Sequence, residues 1–188
     1  MSHHESDSPA SIRSSRPTGA DWVFLFFLVC LFAAVLAMGT LTFRQGLKTE
    51  AGKTQAEALV SWLAQSKDSR GRAGFEPSAC AFSRADSTQP PTWAGCAEVL
   101  FSQGGPVGDL RNPFSGQPLS PIARCDPVDP KSPGQLVLEK ISATPLGSAV
   151  SSVTVALMAE EPIDKPLTIK VTVCDKGGYP IKVAEVEF

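Results

Sequence analysis

The chain has 188 residues, 43% hydrophobic and 19% charged, with a formal net charge of −2. That length supports one domain of ordinary size and at most a smaller second one. So small a charge excludes a strongly basic nucleic-acid binder, whose affinity comes from phosphate neutralisation.

Residues 1–19 begin with a polar stretch, MSHHESDSPASIRSSRPT, too poor in apolar groups to build a core. They read as a cytoplasmic tail or leader. From Trp22 to Phe43 there are then 22 residues without a charge, bounded by Asp21 and Arg44. At a helical rise of about 1.5 Å per residue the run covers roughly 33 Å, enough for a hydrocarbon core of ~30 Å. We place a transmembrane helix over residues 20–43, with Trp22 as an interfacial anchor. A cleavable secretory signal fits less well, because its apolar region is usually about 7–15 residues and is followed by a small-residue cleavage site.

Residues 44–70 continue as an amphipathic extension. Leu47, Ala51, Ala58, Leu59, Trp62 and Leu63 recur at spacings of three, four or seven between Lys and Glu residues. No proline interrupts Trp22 to Ser66, so span and extension are expected to form one rod, ending in the glycine-containing stretch Asp68–Gly74. Trp62 is expected to pack under a sheet, and Arg70 and Arg72 to form a solvated helix end.

Residues 71–188 form the remaining domain, with residues 75–134 reading as proline-rich loops and a short helix around Cys96–Ser102. Trp93, in the loop QPPTWAGC, is either an exposed contact or a cover for a disulfide. Gly104–Gly108 reads as a flexible loop, without the Lys-Ser/Thr of a phosphate loop. Residues 135–141, 151–157, 167–174 and 181–188 are Val/Ile/Leu-rich strands. In the third of these, Ile169, Val171 and Val173 share one face. Asp175–Tyr179 supplies a hairpin turn with two glycines. The fold class is α+β: a long N-terminal membrane helix whose amphipathic extension packs on a small antiparallel sheet with disulfide-bonded loops.

Cys30 lies in the span, and Cys80, Cys96, Cys125 and Cys174 lie beyond it. Four scattered cysteines with no C-x-x-C pair read as two disulfides, with three pairings open. Disulfides require an oxidising compartment. That outweighs the slight excess of positive charge after the span and puts the carboxyl-terminal domain outside the cytoplasm.

Catalytic chemistry has little to work with. His3 and His4 both lie in the polar tail, which removes His-based triads and His-ligated zinc from the domain. Asp126 and Asp129, with Asp109 or Asn112, are the candidate oxygen donors for calcium. Their simpler reading, shared with Glu160, Glu161 and Asp164, is exposed acids in turns. Residues 44–188 carry 15 Lys and Arg against 16 Asp and Glu, so no nucleic-acid partner is expected. We assign no catalytic residue, cofactor or metal site, and no enzymatic activity.

The order of these parts resembles type IV pilins and pseudopilins. A polar leader with Arg13 and Arg16 ends at Gly19, and the apolar run follows, similar to a prepilin-type signal. The resemblance implies cleavage between Gly19 and Ala20 by a prepilin peptidase. Leu110–Pro118, LRNPFSGQP, is similar to the proline–aromatic–glycine–proline loop of pseudopilins with one residue more. The family's carboxyl-terminal disulfide loop would correspond to Cys125–Cys174, which leaves Cys80–Cys96. At the fifth mature position, where the family usually carries Glu, this chain has Phe24, and Asp21 is the only nearby carboxylate. The resemblance therefore implies a minor structural subunit of a bacterial type IV pilus or type II secretion-like filament. Its partners would be other pilin-like subunits, envelope assembly proteins and the lipid bilayer, with the C-terminal domain periplasmic or extracellular. The alternative is an uncleaved single-pass inner-membrane accessory protein that docks an envelope complex through its periplasmic domain.

Overall fold

The computed structural model describes residues 18–82, 90–146 and 149–188. Residues 1–17, read above as part of a tail or leader, with Arg13, Arg16 and both histidines, lie outside the described residues. Two compact units divide the chain, Met1–Phe43 and Arg44–Phe188, and helix α1 (Gly19–Ser66) contributes to both.

The first unit is the amino-terminal part of α1. Thr18 opens it by donating its backbone N–H (2.7 Å) and its hydroxyl (2.8 Å) to the Asp21 carboxylate, the reciprocal arm of a T-x-x-D capping box. The apolar side chains that follow, Trp22 to Phe43, are exposed all round the helix. A helix that is apolar on every side, with no protein covering it, matches a lipid environment rather than water. The helix is long and apolar enough to cross a membrane.

The second unit is α+β. Along residues 44–66 of α1 the buried positions are Gly52, Ala56, Leu59, Leu63 and Ser66, spaced four, three, four and three apart, as one helix face requires. Leu47 and Ala58, expected on this face, are exposed instead. Small residues turn the face: Gly52 and Ala56 let the backbone lie close to the sheet. A Cβ at Gly52 would stand 3.4 Å from Val173 and 3.6 Å from Pro113.

The sheet has five strands: β1 (Pro121–Ile122), β2 (Leu136–Leu146), β3 (Ala149–Ala156), β4 (Thr168–Cys174) and β5 (Pro180–Glu187). The order is β1-β2-β4-β5, and β3 also pairs with β2. The long pairings are antiparallel, as expected, but β1 runs parallel to β2 through Pro121↔Leu136 and Ile122↔Val137. The sheet is therefore mixed, not purely antiparallel. The two-residue bridge Pro-Ile carries no alternation from which a strand could be read. A bulge between Val171 and Thr172 interrupts the β4–β5 register.

Ile169, Val171 and Val173 are buried on one face of β4. They meet Leu136 and Leu138 of β2, the buried face of α1, and Leu100 of a second helix, α2 (Trp93–Phe101). That helix begins three residues earlier than expected. Trp93 is its first residue, 4% exposed, and its ring meets Phe188 edge-on at 6.4 Å. Trp93 is thus neither a loop residue nor an exposed contact, but core.

Candidate functional site

Three clusters in the carboxyl-terminal unit order its loops. The first surrounds Arg70. After α1 ends, Arg70 N–H donates to the carbonyl of Ser66 (3.1 Å), and this turn carries the side chain inward. Arg70 is 1% exposed. The guanidinium carbon stands 3.8 Å from the Phe188 ring centroid and 4.3 Å from that of Phe82. Nε donates to the Cys80 carbonyl at 2.7 Å, and one terminal nitrogen donates to the Ile163 carbonyl. The other terminal nitrogen, Nη1, has no hydrogen-bond partner among the described residues. Burial pulls the Arg70 pKa down to about 10, and the group is still cationic at neutral pH. The solvated helix end expected here is correct for Arg72, which is exposed, and wrong for Arg70. Planarity makes the difference, because a guanidinium stacks between two rings and can use carbonyls in place of a carboxylate.

The second cluster is disulfide-bonded. Cys80–Cys96 joins the short 3-10 turn Ser78–Cys80 to α2, with Cα atoms 4.6 Å apart. Cys125–Cys174 ties the loop after β1 to the end of β4, with Cα atoms 5.5 Å apart. Cys30 is free and exposed.

The third cluster is the loop Leu110–Pro118. Asn112, 1% exposed, accepts through Oδ1 from the backbone N–H of Phe114 (2.8 Å) and Ser115 (3.2 Å), and donates Nδ2–H to the Pro133 carbonyl (2.8 Å). Its side chain is committed to folding the loop and is not free for a cation. Asp126 and Asp129, the other proposed oxygen donors, likewise accept from Val128 N–H and Lys131 N–H, both at 2.9 Å. No group of three or more His, Cys, Asp or Glu side chains is arranged for a metal among the described residues.

Glycine-rich Gly104–Gly108 is a close-packed turn, not the flexible loop expected. Val107 is 4% exposed. A Cβ at Gly108 would lie 1.7 Å from the Ser102 carbonyl oxygen, and one at Gly105 would lie 2.1 Å from that of Val99. These glycines are present because backbone meets backbone there.

A cleft of about 410 Å³ opens beside the Asn112 loop, with Phe114, Pro130 and Pro133 as apolar walls and Lys131 and Lys176 at the rim. Lys48 of α1 stands 5.8 Å over the Phe114 ring. Lys176 donates to the side-chain carbonyl of Gln45. Sequence reasoning missed this cleft and the core role of Phe188, and it gave Arg70 and Asn112 other roles than the ones they have. The one usable signal was the repeated pairing of Lys with Pro or Gly in the 130s and 170s.

At the proposed processing site, Gly19 is the first residue of α1, both it and Ala20 are exposed, and nothing lies within 4 Å of a Cβ built on Gly19. No family model, curated protein or solved structure shows a significant match to the chain.

Proposed function

We propose that this chain is a minor pilin-like structural subunit of a type IV pilus or type II secretion-like filament. Residues 20–43 would pack against the same helices of neighbouring subunits, and residues 44–188 would face the periplasm or exterior. The observation that carries this reading is helix α1: 48 residues without a break, its first part apolar on all sides and its second part buried along one stripe against a disulfide-bonded sheet. A helix of this kind gives a subunit one anchor for the membrane and the same surface for lateral assembly. The mechanism needs no bond chemistry from the chain itself. Another enzyme would cut between Gly19 and Ala20, and the freed helix would leave the bilayer into a bundle.

A second reading is favoured by two local facts. Phe24 stands where a filament subunit of this type usually presents Glu, and the Thr18–Asp21 cap lies across the proposed cut. Cleavage after Gly19 would remove Thr18 and with it the cap. An uncleaved accessory protein of the inner membrane would retain it. Intact-mass analysis of the membrane-extracted protein separates the two. A chain beginning at Ala20 supports the pilin-like subunit, and one retaining Met1 or Ser2 overturns it.

A further inference from the structure

We propose that the outer edge of β3 pairs antiparallel with the same edge of a second copy of this chain, about a two-fold axis at Val153. Among the described residues β3 pairs with β2 alone. Leu157 N–H donates to the Leu138 carbonyl at 3.1 Å, and these two residues continue the register that sets Glu139 opposite Ala156. Along an antiparallel ladder the backbone groups of successive residues point alternately toward and away from the partner strand. Those of Ser151, Val153 and Val155 therefore point to β2, and those of Val150, Ser152, Thr154 and Ala156 point outward. The outward row of donors and acceptors has no strand opposite it, and Ser152 to Ala156 are all exposed.

The other open edges of the sheet carry residues that discourage pairing. β5, at the far end of the strand order, starts at Pro180, is bulged against β4, and exposes Lys182, Glu185 and Glu187. β2 runs on past its pairing with β4, which ends at Ile141↔Thr168. On that overhang the same alternation turns the backbone nitrogen of Pro145 to the open side, where it has no hydrogen to offer. β3 has no such guard: it contains no proline, and Ile141 to Ala159 is a run of 19 residues without Asp, Glu, Lys or Arg. Val153 and Val155 are 44% and 50% exposed.

The occupant is a second copy because the strand complements itself. With the axis at Val153, Val150 falls opposite Ala156 of the second copy and Ser152 opposite its Thr154. All four outward residues then enter hydrogen-bonded pairs, with about eight bonds in all. Val153 meets its own counterpart at a non-hydrogen-bonded position, where facing side chains stand closest. Moving the axis one residue either way takes Ala156 or Val150 off the end of the strand. No like charges are opposed, and the edge offers no charge by which a foreign strand could be selected. The contact is isologous and closes at two chains. Strand pairing alone falls short of a standard interface of about 1,600 Å², so the association is weak and is best read by trapping.

The test uses the full chain with Cys30→Ala in detergent, carrying either Val153→Cys or Val155→Cys, under a mild oxidant. In the proposed register the two copies of position 153 have Cα atoms about 4.5 Å apart, inside the range of about 4.4–6.8 Å that a disulfide spans. The two copies of position 155 are offset by four residues, roughly 13 Å along the strands. Val153→Cys should therefore form covalent dimer at least about tenfold faster than Val155→Cys, and adding Thr154→Lys should slow it about tenfold. Equal rates for the two cysteines, as expected if the apolar helices alone gather the chains, would overturn the proposal and leave the pilin-like reading standing. No dimer from either cysteine, or a rate indifferent to Thr154→Lys, would overturn it as well. A thiol-free measurement stands beside these: in the unsubstituted chain, amide hydrogen exchange at Ser152 and Thr154 should slow as protein concentration rises. Exchange there that ignores concentration counts against the pairing.

Discussion

The guanidinium of Arg70 lies 3.8 Å from the ring centroid of Phe188, so the turn after the long helix is fastened to the residue that follows β5. Phe188 is fully buried, touched on its other sides by Trp62 at 5.8 Å and Trp93 at 6.4 Å. Its backbone exchanges hydrogen bonds with Leu167, at 2.8 and 2.9 Å. Phe188 thus connects α1, α2 and the end of β5, with the Arg70 cation stacked on its ring. Arg70→Lys keeps the charge but loses the flat stack and one of the two carbonyl contacts. It should destabilise the domain by about 2 kcal/mol, lowering Tm by roughly 4–8 °C. Arg72→Lys, on the exposed neighbour, should stay within about 0.5 kcal/mol. Thermal unfolding of the detergent-solubilised protein checks both.

The disulfides differ in what else they hold. On chain entropy alone, the 49-residue separation of Cys125 and Cys174 should contribute about 4 kcal/mol, and the 16-residue separation of Cys80 and Cys96 about 3 kcal/mol. Cys80 also offers its carbonyl to Arg70. The double substitution Cys80→Ser with Cys96→Ser should therefore be non-additive with Arg70→Lys, whereas Cys125→Ser with Cys174→Ser should add to it within about 0.5 kcal/mol. Urea unfolding of the six proteins in the two cycles gives the answer. Additivity in both cycles would show that the Cys80 carbonyl does not depend on its disulfide.

Charge and polarity patterns along the chain carried the membrane-length helix, its uninterrupted passage to Ser66, and the four long strands within a few residues. Such patterns report local composition and spacing, and the apolar run of α1, the buried stripe of its second part and the Val/Ile/Leu-rich strands are local features. What they could not report was contact at long separation. Arg70 reads as solvated because nothing nearby in sequence says that Phe188 will come to cover it. Gly104–Gly108 reads as flexible because glycine permits both freedom and close backbone approach, and only the carbonyls of Val99 and Ser102 decide between them. Leu47 reads as core on spacing, but the small residues Gly52 and Ala56 turn a different face toward Val173. The Lys131–Lys176 cleft joins segments more than 40 positions apart, and no spacing rule connects them.

Glycines at three positions should answer differently to the same substitution. Gly108→Ala puts a methyl group where the Ser102 carbonyl oxygen already is and should cost about 2–3 kcal/mol as the turn shifts. Gly52→Ala meets Val173 at ordinary contact distance and should be neutral or stabilising by up to about 1 kcal/mol. Gly52→Leu has no room there and should lift the helix from β4. Gly46→Ala, with nothing within 4 Å, should stabilise through helix propensity alone. Urea midpoints should rank the variants in the order Gly46→Ala, Gly52→Ala, Gly108→Ala, from most to least stable.

Cys30 offers a native probe of the apolar helix. It is the one free thiol among the described cysteines, exposed on the helix surface, and it lies eight residues in from Trp22. Within a bilayer the side chain lies in hydrocarbon, out of reach of a polar reagent dissolved in the water on either side. In native membranes, a polar maleimide should therefore label Cys30 far more slowly than it labels the same chain unfolded in detergent and urea. The other four cysteines should stay silent until a reductant is added. Rapid labelling in intact membranes would place Cys30 in water and remove the span from residues 22–43. Slow labelling that persists after the chain leaves the membrane fraction would instead mean that protein, and not lipid, covers this face, as lateral packing of several such helices in a filament requires.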